Sequence, residues 1–101
     1  MTTIESELPA GLVCTRRTPY FSVDNVPRAL LSSHSVKTGV WGLLRVVRGR
    51  VRYCLDGRAQ VSVIVPEGGA AVIAPGVSHH VELLDALSTF FIEFHRAEAE
   101  P

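Results

Sequence analysis

A chain of 101 residues holds one domain and has no room for a second. Apolar residues make up 47% of it, enough for a real core, while ten basic side chains balance ten acidic ones. That balance argues against a general nucleic-acid binder, which carries a basic excess, and against a polybasic membrane binder. No run approaches the ~18 apolar residues of a membrane-spanning helix. Residues 1–9 are polar and acidic and lack the pattern of a secretory signal. Cys14 and Cys54 are too few and too far apart for a disulfide scaffold, so two free thiols in a reducing cytoplasm are expected.

Taken in order, the chain predicts strands almost throughout. Residues 1–10 read as a flexible leader, 11–96 as the domain, and 97–101 as a frayed tail. Residues 12–15 form a first short strand, and Pro19 stops any helix. Residues 21–27 contain the turn formers Asp24, Asn25 and Pro27. Ala29-Leu30-Leu31 predicts a strand leading to His34, and Lys37-Thr38-Gly39 a turn. The clearest pair follows: residues 40–47 are apolar apart from Gly42 and Arg45, and residues 51–55 alternate with Val51, Tyr53 and Leu55 on one face. Asp56-Gly57 is a hairpin signal. Residues 61–65, 70–74, 80–84 and 89–94 complete the strands, separated by Pro66-Glu67-Gly68-Gly69, Pro75-Gly76 and Asp85-Ala86. Turns every 8–12 residues, with no amphipathic run of helical length, are the signature of a small sandwich or barrel.

Chemistry concentrates on histidine. His79 follows a Pro-Gly turn and enters a strand; His34 precedes the longest strand. In a barrel both positions can face one cavity, and neutral imidazole is a common metal ligand. His80 points to the face opposite His79, and His95 lies near a strand end. On the longest strand Trp41, Leu43, Arg45 and Val47 share one face, so Arg45 can hold an anion beside Trp41. Cys54, beside Arg50 and Arg52, is a candidate for a lowered thiol pKa. No nucleophile elbow and no phosphate-binding glycine loop is present.

Residues 68–79, GGAAVIAPGVSH, resemble the second conserved motif of the cupin superfamily: a glycine, a short strand, a Pro-Gly turn and a histidine. Residues 45–53 resemble the end of the first motif. Residues 17–21 (RTPYF), 34–42 (HSVKTGVWG) and 75–82 resemble a narrower group of small cupins similar to tellurite-resistance proteins, which includes YeaR-like proteins and the N-terminal domain of longer TehB proteins. The likeness covers roughly residues 8–96. It implies an all-β, small single-domain cupin, a double-stranded β-helix or jelly-roll barrel.

The resemblance also implies a divalent metal (zinc, iron, nickel or manganese) held at the barrel mouth by His34 and His79, although the usual three-histidine, one-glutamate set is incomplete. Gly42 stands where the glutamate is expected. Glu82 and Glu93 are the candidates for a further ligand. Lys37, which matches a lysine of the family pattern, joins Trp41 and Arg45 as the ligand-binding set, with a small acid or oxyanion as substrate. The rival readings are a non-catalytic small-ligand binding or sensing module and a dimeric structural cupin with a vestigial site. A small-molecule ligand and a homodimer are the expected partners.

Overall fold

The computed structural model describes residues 4–32, 35–57 and 61–98. Among the described residues seven strands follow the predicted turns: β1 (Leu12–Arg17), β2 (Trp41–Arg48), β3 (Val51–Leu55), β4 (Val61–Val65), β5 (Ala70–Ile73), β6 (His79–Leu83) and β7 (Thr89–Ala97). They form two antiparallel sheets, β1-β7-β2-β5 and β4-β3-β6. The single helical element among the described residues is the four-residue 3-10 segment Arg28–Leu31, where the sequence predicted a strand. Pro27 precedes it and accepts the hydrogen bond of Leu30 N (3.0 Å). Only Leu30 of the four is buried, so the segment plugs the core with one side chain rather than pairing along its length.

Alternation decides what lies between the sheets. Leu44 and Val46 of β2, Phe90 and Ile92 of β7, and Ala71 and Ile73 of β5 face inward from the first sheet. Val51 and Tyr53 of β3, Val65 of β4 and Val81 of β6 face inward from the second. Gly42 lets β5 approach β2 closely, since a Cβ there would lie 3.0 Å from the Ile73 side chain. The two sheets stack as an open sandwich. Among the described residues no strand ladder joins one sheet to the other, so the closed barrel expected from sequence is corrected to two separate sheets. No helix of the described residues is long and apolar enough to cross a membrane.

At one end the chain crosses between the sheets through the β2–β3, β4–β5 and β6–β7 connections, and Ser88 fastens the first and the last. Its hydroxyl accepts hydrogen bonds from Arg50 N (3.2 Å) and Asp85 N (3.1 Å) and donates to Arg50 O (2.6 Å). Ser88 is fully buried. Gly49 adopts φ +71° against it, and a Cβ there would meet Ser88 Oγ at 2.7 Å. Arg50 and Asp85 add a forked ion pair at the surface (2.9 and 3.1 Å).

Removing the hydroxyl strands two part-buried amides, Arg50 N and Asp85 N, each costing about 1–3 kcal/mol when unsatisfied, while Arg50 O keeps the hydrogen bond from Leu84 N (3.1 Å). Ser88→Ala is therefore expected to lower unfolding free energy by about 2–4 kcal/mol in urea melts, with the denaturant slope unchanged.

Candidate functional site

The end of the sandwich remote from Ser88 is open, and it gathers the polar chemistry. There β1 pairs with β7 through a bulge: Cys14 lies opposite His95, but Arg16 lies opposite Phe94. Strict alternation would put Cys14 and Arg16 on one face. The extra residue, Thr15, rotates Arg16 to the opposite one, and its hydroxyl donates to Phe94 O (3.3 Å). The Arg16 guanidinium then stacks 4.5 Å over the Phe94 ring. Arg96 follows two residues later on the Phe94 side of β7. A tight turn closed by Val40 N donating to Lys37 O (3.0 Å) brings in Lys37, with Gly39 at φ +82°.

These residues line a pocket of about 320 Å3, together with Thr15, Ser35 and the apolar Val36 and Val40. Among the described residues its lining carries three cations (Arg16, Lys37 and Arg96) and no carboxylate. None of the three makes an ion pair among the described residues, whereas Arg17, Arg45, Arg50 and Arg52 all do. The pocket thus places two hydroxyls and three cations around an apolar floor.

The other predicted site residues lie apart. His34 lies outside the described residues. His79 is buried at 1% exposure between the sheets, its Nδ1 3.1 Å from Val77 O and its ring 5.4 Å from that of Tyr53. A carbonyl can only accept, so Nδ1 carries the proton. Glu82 is on the outer face of the second sheet, paired with Arg52 (3.1 Å) and near His80 (3.5 Å). His80 Nδ1 also meets Asp56 (2.8 Å). Glu93 is on the outer face of the first sheet, between Arg45 (3.3 Å), Arg17 (3.9 Å) and His95 (3.2 Å). The fold thus brings neither carboxylate to His79. Arg45 is already neutralised by Glu93, and Trp41 lines a separate apolar cleft. Of the predicted ligand-binding set, only Lys37 reaches the cationic pocket.

Two titrating groups depart from ordinary behaviour in informative ways. Burial pushes the Cys54 thiol up, Glu82's charge adds to this, and Arg52 opposes it only in part; the thiolate expected beside the arginines is disfavoured. Burial also pushes Glu93 up, but hydrogen bonds from His95 and Arg45 and their charges outweigh it and hold the carboxyl below the usual range.

The TehB-like domain family matches residues 16–92. The chain belongs to the TehB-like domain family. It is 31% identical over 77 residues to the Haemophilus influenzae strain Rd protein named "Probable S-adenosyl-L-methionine-dependent methyltransferase TehB", and 30% identical to its counterpart from strain 10810. The match takes in 72% of this chain and 27% of each relative, so this TehB-like domain spans about a quarter of their length. Among solved structures, it superposes on an Escherichia coli K12 protein with a TM-score of 0.84 at 26% identity, covering 92% of this chain and 98% of that one. It superposes on TehB from H. influenzae with a TM-score of 0.75 at 26% identity, covering 87% of this chain and 32% of that one.

These likenesses overturn the expected metal-binding cupin activity and its divalent metal. The relatives are named for S-adenosyl-L-methionine, not for a metal, and of the expected ligands among the described residues neither Glu82 nor Glu93 converges on His79. Among the described residues, the groups of three metal-type side chains that do come close are Cys14, Glu93 and His95, and Cys54, His80 and Glu82, neither of which includes His79. Nor do the described residues of the TehB-like domain fit S-adenosyl-L-methionine: they include no parallel sheet and no glycine loop opening a helix.

A depressed Glu93 gives a signed pH effect. The carboxyl titrates lower folded than unfolded, so its contribution is full above the unfolded value, about 4.3, and is lost as pH falls through the folded one. Urea melts from pH 6 downward are expected to show stability declining below about pH 4, and the decline is expected to be shallower in Glu93→Gln.

Proposed function

We propose that this TehB-like domain is a binding domain that captures a small multi-oxygen anion for S-adenosyl-L-methionine-dependent methyl transfer carried out by another domain or protein. The observation that carries this reading is the convergence of unpaired Arg16, Lys37 and Arg96 on one pocket in a chain whose net charge is zero. A neutral protein that concentrates unneutralised cations in one place has a local use for them. The role beside methyl transfer rests on the relatives' names and on the quarter of their length that the domain matches.

The finer fold reading belongs with this proposal. The order β1-β7-β2-β5 over β4-β3-β6 supports a jelly roll of the small-cupin kind. In such a fold the irregular stretch between β1 and β2 stands in for a missing eighth strand beside β6.

Isothermal titration of the protein with sodium tellurite, selenite and phosphate tests the binding. Saturable binding of at least one is expected, together with a tenfold or greater loss in Arg16→Ala and in Lys37→Ala, since a hydrogen bond to a charged group contributes about 1.5–3 kcal/mol. Arg45→Ala, whose cation is already paired, is expected to bind as the wild type does. Equal affinities across all four proteins would overturn the reading. Addition of S-adenosyl-L-methionine alone is expected to give no heat.

A further inference from the structure

Among the described residues the two sheets have four edges, and three are guarded. β1 carries a bulge and the arginines Arg16 and Arg17. The outer side of β5 is capped where Val72 N donates to Glu5 O (2.7 Å). The 3-10 segment packs against β6. Bulges, charges and covering segments are the usual means of keeping an edge strand from pairing. Among the described residues β4 has none of them. It reads Val61-Ser62-Val63-Ile64-Val65, with no charge and no proline, and its register with β3 runs without a bulge. Nothing described but β3 pairs with it, so alternate residues direct N–H and C=O outward with no ladder to meet. We infer that β4 is a dimer interface: a second copy of this chain adds its own β4 antiparallel across a two-fold axis at Val63, joining two three-stranded sheets into one of six.

The strand fits a copy of itself. Pairing about Val63 sets Val61 opposite Val65, Ser62 opposite Ile64 and Val63 opposite its own counterpart, so all five residues enter the ladder. β-Branched side chains that meet across strands are favourable neighbours. The side chains also lack cover. Val63 lies beside Tyr53 on the face that looks toward the core, yet it stays 37% exposed. The layer between the sheets is therefore open at this edge. Ile64, on the other face, is 45% exposed. The second copy brings its Val63 to the inner side and its Ser62 to the outer. No net charge holds two copies apart. A two-fold pairing is also closed: it consumes the edge it uses and leaves no strand for a third copy. The interface shares no residue with the cationic pocket, so it is independent of what that pocket binds.

Five residues make a small interface, so the wild type is expected to pass from monomer to dimer between about 1 µM and about 1 mM in sedimentation velocity. Val63→Lys and Val63→Glu are run beside it, with circular dichroism as the check on folding. Each alone is expected to stay monomeric, because like charges meet at the axis, while an equimolar mixture dimerises. Amide hydrogen exchange on the wild type needs no variant. Alternate β4 amides are expected to exchange at least about tenfold more slowly at dimer concentrations, with β6 amides unchanged. If a charge variant fails to fold, the exchange measurement decides alone. Four results would overturn the inference: a wild type that is monomeric throughout, a folded charge variant that dimerises as the wild type does, a folded mixture that stays monomeric, or β4 amides that exchange equally fast in monomer and dimer.

Discussion

A single buried hydroxyl holds the two sheets in register. Ser88 Oγ uses both its acceptor capacity and its donor on the backbone of two of the four connections that pass between the sheets. With that end locked and filled, the strands diverge from a fixed point. What the far end can do depends on it: Arg16, Lys37 and Arg96 hold their relative positions because β2 and β7 are anchored some strand-lengths away. A loop-built pocket would have needed its own internal bracing. Here the bracing and the cationic pocket are at opposite ends of the same strands, which lets the mouth carry a costly feature, three unpaired cations, without the core absorbing the strain.

The edges of the sheets show the same division of labour. The β1 edge carries a bulge and two arginines, and the edge of β5 is capped by Val72 N donating to Glu5 O (2.7 Å). Both devices discourage strand addition. Each also builds a pocket: the bulge turns Arg16 over Phe94, and the capping segment supplies Ile4 and Glu5 to the apolar cleft that Trp41 lines. Edge protection and site construction are therefore one set of residues rather than two.

Much of this was legible in the sequence where alternation governs. The inward sets of β2, β3 and β7 follow directly from a period of two, whereas Lys37 stands out only by its match to a lysine of the family pattern. What escaped has definable causes. A bulge changes the face of every residue after it without leaving a compositional mark, so Arg16 could not be assigned to a common pocket with Lys37. Arg45 reads as a free anion anchor until Glu93, nearly fifty residues on, is seen beside it. The Pro27 turn prevailed over the strand propensity of Ala29-Leu30-Leu31 because one buried leucine, not a ladder, was the favourable contact. The metal expectation failed for a broader reason: a histidine after a Pro-Gly turn fixes a position in a fold, while a metal centre needs several side chains to converge, and here the carboxylates face away.

The neutrality of the molecule also sets how an anion would reach the mouth. Three like charges confined to one rim on a chain with no net charge produce a field that fades within about 8 Å at physiological ionic strength. Long-range steering is therefore weak, and encounters are governed by random diffusion to a small target. Discrimination then resides in how long an anion stays rather than in how fast it arrives. Added salt would shorten that residence far more than it would slow the approach.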